Sequence, residues 1–399
     1  MMRICILSSF EDSMQKDTGP SVRIYNLAKG LAALGDEVRV IMPKEKNIRD
    51  CVEGVEVYGF RGLYPSIVLK ALKRLVGVAR STSLYFYDLL FISRVSQLIR
   101  DSDVVQIEQQ TAGGLLIPFI KIVLKRSVVI DCHDIFQALR VKHTNAIRKL
   151  LETFLERLAY RYADIILTVS EKETEYLVSC GVRQYKIMVI PNGVDTEALN
   201  PFVDASRVKD RYDLRNFHTV IFVGNMEYLP NREAVQAIAS KIAPLIKKEV
   251  SNTKFLIVGR TPPNIEFPNL TFTGVVDNVT EFLVASDVAI APLFHGSGTR
   301  LKILEYFSCS LPVVSTTVGV EGLDVKSGIH ALVEDNMDTF AIGVIKLLKD
   351  RELAIRLGKT ARELVVNNYD WKEITMRLSK VYHNLLLGIG NNARFGGKP

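Results

Sequence analysis

Cysteine is scarce in this chain, and the scarcity removes several chemistries at once. Five cysteines are spread over 399 residues, at Cys5, Cys51, Cys132, Cys180 and Cys309. No CxxC pair and no Cys/His set with metal-ligand spacing occurs, so a zinc ribbon or a disulfide scaffold is excluded and reduced, structural thiols are expected. Also missing is any apolar run of about 18 residues free of charges or breakers, the length that a bilayer-spanning helix needs. The first residues carry no n-region, h-region and cleavage pattern of a secretory signal. Arg3-Ile4-Cys5-Ile6-Leu7-Ser8 reads directly as a strand. A cytoplasmic protein is therefore expected. No RNA- or DNA-binding motif is present. The formal net charge of +7 comes from dispersed basic residues, which fits attraction to anionic lipid or to nucleotide phosphates better than a nucleic-acid partner.

What the chain does have is apolar material for two cores, with 48% hydrophobic and 24% charged residues. Strands and helices alternate along it. Ile4–Ser9 is predicted as the first strand, Pro20–Leu34 as a helix with Pro near its start and Gly35 at its end. Strands follow at Glu37–Met42, Val55–Phe60, Val104–Glu108 and Val128–Asp131. A long amphipathic helix is expected over Arg148–Tyr162, then a strand at Asp164–Ser170, a helix at Glu171–Cys180 and a strand at Lys186–Ile190. Such alternation implies a parallel sheet covered on both faces. Pro191–Pro201 is rich in turn formers and reads as a connection. From Thr219 the alternation restarts and continues to about Asn368. Two α/β domains result, over residues 1–195 and 196–370, with a helix at 371–388 and a Gly/Asn-rich tail at 389–399.

The most informative stretch is HGSGTRLKILE, His295–Glu305. It leaves the end of a short buried strand within ASDVAIAPL, and a helix is predicted to begin at Thr299 or Arg300. Glycines let backbone N–H groups approach a ligand, and a helix N-terminus is a good seat for an anion. Arg300 and Lys302 put positive charge in that first turn, the wrong sign for a bare helix start. The mismatch is relieved if a phosphate sits there. Glu305 adds a carboxylate suited to a pair of hydroxyls. The plainer alternative is an ordinary βα loop with two solvated cations.

The surroundings favour the first reading. FVGN (Phe222–Asn225), LIVGR (Leu256–Arg260), FTGVVDNV (Phe272–Val279), SDVAIAPL (Ser286–Leu293), GSGTRLKILE (Gly296–Glu305) and SLPVVST (Ser310–Thr316) occur in one order. This series resembles the C-terminal domain of the retaining, glycogen-synthase-like GT-B glycosyltransferases, the family 4 type of group 1. The resemblance spans nearly the whole chain and is strongest over Gly224–Leu323. It implies two Rossmann-like domains facing across a cleft, with the N-terminal one meeting the acceptor and the last helix crossing back onto it. It implies a hexosyltransferase that moves a sugar with retention from a nucleotide-sugar donor to a hydroxyl of a glycan or lipid-linked acceptor, in cell-surface polysaccharide or glycoconjugate synthesis. No cofactor or metal is expected, since no DxD motif flanked by strand signals appears.

The resemblance also assigns roles residue by residue. Arg300 and Lys302 would stabilise the departing diphosphate, with the Gly298 and Thr299 amides beside them. Glu305 would hold hydroxyls. His133, after the Val128–Asp131 strand, would contact the donor sugar, with Asp134 orienting it or capping the next helix. Gly19, in Asp17-Thr18-Gly19-Pro20-Ser21, would face the donor phosphate and the acceptor, although a helix-capping turn explains this segment as simply. Asn225 and Asn231 stand where many members carry cations for the diphosphate, and Arg232 is expected to substitute for the second. Ser297 replaces a first glutamate that faces the donor sugar. Arg260 is expected to be either a base or phosphate contact or a surface cation, Val276 would flank the base, and Glu321 would lie near the sugar. Glu108, with Gln109 and Gln110, is expected to be either an acceptor contact or a solvated loop.

A last expectation concerns residues 65–100. Lys70, Lys73, Arg74, Arg80, Arg94 and Arg100 interleave with apolar and aromatic residues, and Asp88 is the lone acid between Arg61 and Arg100. That pattern fits peripheral contact with the inner face of the cell membrane, or equally a surface helix whose apolar side joins the core. Two other functions stay open on the sequence. One is a nucleotide-sugar epimerase on the same plan, using Glu108, Asp131 and His133. The other is a non-catalytic sugar-nucleotide-binding protein.

Overall fold

The computed structural model describes residues 1–8, 13–14, 19–44, 46–60, 89–108, 116–132, 146–261, 270–296 and 300–389, with the backbone alone at 89–91 and 146–152. The chain divides into two compact units. Met1–Pro191 forms one together with the segment that begins at Trp371, and Asn192–Asp370 forms the other. The crossings thus fall four residues before the predicted boundary at 195/196, and at 370/371.

In the N-terminal unit, β1 (Arg3–Leu7), β2 (Glu37–Pro43), β3 (Ile48–Val52), β4 (Val55–Phe60), β5 (Val104–Glu108), β6 (Ser127–Asp131), β7 (Ile165–Thr168) and β8 (Ile187–Val189) make one sheet. Its order is β3-β4-β2-β1-β5-β6-β7-β8. Successive strands are β-branched and buried on both sides, as a covered parallel sheet requires. Only β3 runs antiparallel to its neighbour. Sequence pattern missed it because Arg49 and Asp50 interrupt its apolar residues and it is mostly exposed. It is a charged edge strand, joined to β4 by a tight turn with positive φ at Glu53 and Gly54. Helix α1 (Gly19–Ala33) buries Ile24, Leu27, Ala28 and Leu31 against one face. Helix α2 (Leu89–Arg100) buries Val95 and Ile99 in the core of the other.

The C-terminal unit holds β9 (His218–Val223), β10 (Thr253–Val258), β11 (Leu270–Gly274), β12 (Val288–Ala291), β13 (Val313–Ser315) and β14 (Leu332–Val333). Their order is β11-β10-β9-β12-β13-β14, all parallel. One apolar layer, with Ile221, Leu256, Ala289 and Phe307, covers one face; a second, with Phe222, Phe255, Ile290 and Phe340, covers the other. From β9 the chain winds to one side through β10 and β11, then returns to its other side at β12. Such a reversal leaves a crevice at the carboxyl ends of the strands, where open α/β sheets bind ligands. Helix α3 (Leu229–Ala237) follows β9, and helix α4 (Leu301–Ser308) follows β12. Both therefore start beside that crevice.

The final helix, α5 (Trp371–Leu386), packs on α1, burying Trp371, Ile374, Leu378 and Tyr382 within the N-terminal core. Membrane contact through residues 65–100 rested largely on 61–88, which lie outside the described residues. The described end of that segment is α2, whose apolar side is spent on the core. No helix among the described residues is long and apolar enough to cross a membrane.

Candidate functional site

Helix α4 and its N-cap carry three predicted residues, of which Lys302 reaches the carboxyl end of β9. Its start differs slightly from expectation. Arg300 is the N-cap residue, with ψ 87° outside the helical range, so the first turn begins at Leu301. Arg300 is 7% exposed, and its Nε donates to the Val318 carbonyl at 3.4 Å. The guanidinium lies over Gly296, where an added Cβ would stand 2.4 Å from Nη2 and where φ is +146°. The positive φ favours glycine there, and its missing side chain leaves room for the guanidinium.

Lys302 is held from two sides. Its ammonium donates to Asn231 Oδ1 at 2.8 Å and stands 4.1 Å from the centre of the Phe222 ring. Burial pushes its pKa down to about 7; the charge of Arg300 pushes the same way and Glu305 opposes both. Glu305, half-buried one turn on, is pushed up by burial, with Lys302 opposing. The next residue, Tyr306, was not singled out in the sequence. Its hydroxyl accepts the Val223 N–H at 2.8 Å and so ties α4 to the end of β9. Burial raises this phenol far above its ordinary pKa, so it stays neutral.

The strand ends complete the arrangement. Asn231 is 7% exposed, and its Nδ2 donates to the Asn225 carbonyl at 2.8 Å. Asn225 turns its own side chain back to accept the Glu227 N–H at 3.0 Å. A Cβ at Gly259, where φ is +144°, would stand 1.8 Å from the Gly224 carbonyl oxygen, so the ends of β9 and β10 touch only because glycine is present. The cation beside Asn231 is Lys302, arriving from α4; Arg232 is exposed on α3. A residue in the first turn of α3 points its side chain at the sheet or away from it, and Asn231 takes the inner position while Arg232 takes the outer.

The other predicted residues spread outward. Arg260 is exposed, and its carbonyl accepts the Met226 N–H at 3.1 Å. Val276 is half-buried and packs against the core. Glu321 is half-buried, and its N–H reaches the same Val318 carbonyl that Arg300 uses. A pair that sequence reasoning overlooked joins His295 Nε2 to Glu233 Oε2, fastening the loop after β12 to α3. Neither residue has a partner within reach in sequence, so no local signal announced it. Gly298, Thr299 and Ser297 lie outside the described residues, as do His133, Asp134, Asp17, Thr18, Gln109 and Gln110.

In the N-terminal unit, Gly19 is the exposed first residue of α1. Two candidate acids are buried and partnered. Asp131 is fully buried and pairs with the equally buried Arg23 at 2.8 Å. Glu108 is buried at the end of β5 and accepts from Gln106 Nε2 at 2.5 Å; Tyr382 of α5 donates to the same Gln106. Neither carboxylate meets solvent, so the solvated-loop alternative for Glu108 does not hold.

Arg300, buried, and Lys302, half-buried, form a pair of cations at a βα junction beside the switch point of a parallel sheet, a frame that suits an anionic ligand. Comparison with known proteins shows the family. The profile described as "Glycosyl transferases group 1" matches residues 217–350, and the one described as "Glycosyltransferase Family 4" matches residues 18–198. The chain belongs to the group 1, family 4 type of glycosyltransferase. An uncharacterized glycosyltransferase of Methanocaldococcus jannaschii is 22% identical over 305 residues, 72% of this chain and 76% of the relative. The N,N'-diacetylbacillosaminyl-diphospho-undecaprenol alpha-1,3-N-acetylgalactosaminyltransferase of Campylobacter jejuni is 23% identical over 384 residues, 91% of this chain and 95% of the relative. Among solved structures, Anabaena HepE in complex with UDP superposes with a TM-score of 0.70 at 16% identity, over 96% of this chain and 100% of that one. The fold of this glycosyltransferase is GT-B. Among its described residues, no group of three His, Cys, Asp or Glu side chains is placed to hold a metal ion.

Proposed function

We propose that this glycosyltransferase moves a sugar, with retention, from a nucleotide-diphosphate sugar to a hydroxyl of a glycan or lipid-linked acceptor, in the synthesis of a cell-surface polysaccharide or glycoconjugate. The observation that carries the reading is the pair of cations at the start of α4, Arg300 buried against Val318 and Gly296 and Lys302 half-buried at the carboxyl end of β9. Two cations set close in a low-dielectric pocket repel one another and lose hydration. A diphosphate offsets both costs, and most strongly when its charge grows as the glycosidic bond breaks. Glu305 is assigned to donor hydroxyls, and the N-terminal unit to the acceptor. The lipid-diphosphate chemistry named for the Campylobacter jejuni relative supports the acceptor class. Transfer is assigned to these cations alone, without a metal. Action at the inner membrane face follows from a lipid-linked acceptor.

Purified protein incubated with UDP-, GDP-, ADP- and dTDP-sugars and a lipid-diphosphate glycan is expected to release nucleoside diphosphate and form an α-linked glycoside from an α-linked donor, with EDTA present. Replacing Arg300 by Ala is expected to cost about 2–4 kcal/mol at the transition state while the fold survives. A nucleotide-linked isomer as product, or loss of activity in EDTA that a divalent metal restores, would overturn the proposal.

A further inference from the structure

We propose that Asn231 is the positioning residue for Lys302: its carboxamide, anchored on the Asn225 carbonyl, aims the ammonium at the carboxyl end of β9, so that the donor's diphosphate is met by a cation carried on α4 and steered from α3. The inference rests on the nucleotide-diphosphate reading of the site.

The carboxamide can be oriented in one way only. Its NH2 donates to the Asn225 carbonyl at 2.8 Å, and its oxygen accepts from the Lys302 ammonium at 2.8 Å. Turned over, it would set oxygen against oxygen and NH2 against ammonium, which has donors and no acceptor. Asn231 is 7% exposed and packs where Gly224 has no side chain; an added Cβ there would stand 2.8 Å from its amide carbon. The amide therefore has no room to swing. Phe222, beneath the ammonium at 4.1 Å, closes a second side. The turn is braced in its own right, since Asn225 spends its side chain on the Glu227 N–H.

A neutral acceptor suits this position better than a carboxylate. Lys302 is surrounded by Arg300 before the helix, Glu305 along it, Asn231 with Arg232 and Glu233 following on α3, and the Phe222 ring on the sheet. Glu233 is engaged by His295. An acid at 231 would neutralise the ammonium and repel the diphosphate. The amide orients the charge and leaves it to the ligand.

The test is a pH series of UDP affinity by calorimetry, with GDP, ADP or dTDP used instead if one of them binds better. Wild-type affinity is expected to fall as pH rises above about 7, where the free lysine loses its proton. Lys302→Met is expected to bind at least tenfold more weakly at pH 6 and to lose that pH dependence. Asn231→Leu removes a hydrogen bond to the charged form, so its fall is expected to begin at lower pH. Affinity would be near wild type at pH 5.5 and at least tenfold weaker at pH 8. Asn231→Asp places a carboxylate against the ammonium, so its fall is expected to move up by a pH unit or more, with weaker binding at pH 6. If Asn231→Leu does not fold, Asn231→Asp decides alone. A purely structural Asn231 would weaken binding equally at every pH, and that outcome overturns the inference. Wild-type affinity in Lys302→Met would instead overturn the nucleotide-diphosphate reading beneath it.

Discussion

Replacing Lys302 by methionine is expected to stabilise the protein while it damages the site. The folded pKa of about 7 lies below the ordinary 10.5. At about 1.4 kcal/mol per unit, carrying this charge in the fold at acid pH costs about 5 kcal/mol at most. Methionine forfeits about 1 kcal/mol of cation–ring attraction to Phe222. It also leaves the buried Asn231 oxygen without its lysine donor, at about 1–3 kcal/mol. A net gain of about 2 kcal/mol remains, which for a unit of this size raises Tm by about 4–8 °C. The pH dependence has a definite sign. Between pH 7 and 10.5 the unfolded chain holds the lysine proton that the folded chain has released, so the wild type gains stability as pH rises through this window. The methionine variant has no such term. Its advantage is therefore expected to be full below pH 7, to vanish near about pH 8.5, where the wild type has gained about 2 kcal/mol, and to reverse by about pH 10. Thermal melts of both proteins from pH 5.5 to 10 measure it. A variant that melts below wild type at pH 6 would show that the ammonium is welcome in the empty fold, and the view of a charge held ready for an anion would fail.

Three further outcomes follow from the same contacts. Glu305→Gln is expected to raise the donor KM or lower kcat severalfold without destabilising the fold, because an amide accepts hydroxyl hydrogen bonds less strongly than a carboxylate; unchanged kinetics at sub-saturating donor would make Glu305 structural. Arg23→Met strands the fully buried Asp131 and releases the Pro191 carbonyl that Arg23 Nη1 holds at 2.9 Å, so a loss of about 3–5 kcal/mol in denaturant titration is expected; a loss under 1 kcal/mol would count against a tight pair. Tyr306→Phe removes the acceptor of the Val223 N–H and is expected to cost about 1–3 kcal/mol, with hydrogen exchange at Val223 accelerated relative to its strand neighbours; unaltered exchange there would contradict the bond.

Local periodicity settled much of this molecule. Val104–Glu108 and Val55–Phe60 were readable to the residue, because buried parallel strands are short apolar runs between breakers. The start of α1 beside Pro20 and its end before Gly35 were readable for the same reason, since proline and glycine act on their own backbone. The cationic start of α4 was legible too, as two basic residues following a glycine-rich loop. Partnership was not legible. Asn231 reads in sequence as a lost cation, yet it holds the cation that Lys302 brings from 71 residues away. Tyr306 reads as one more core aromatic, although its hydroxyl is bound to the backbone of β9. Asp131 and Glu108 read as acids at strand ends and turn out to be sealed by Arg23 and Gln106. Each of these depends on which side of a strand or helix a side chain leaves and on what another element places opposite. Sequence periodicity fixes the first of these within an element, while only the order and register of the strands decide the second.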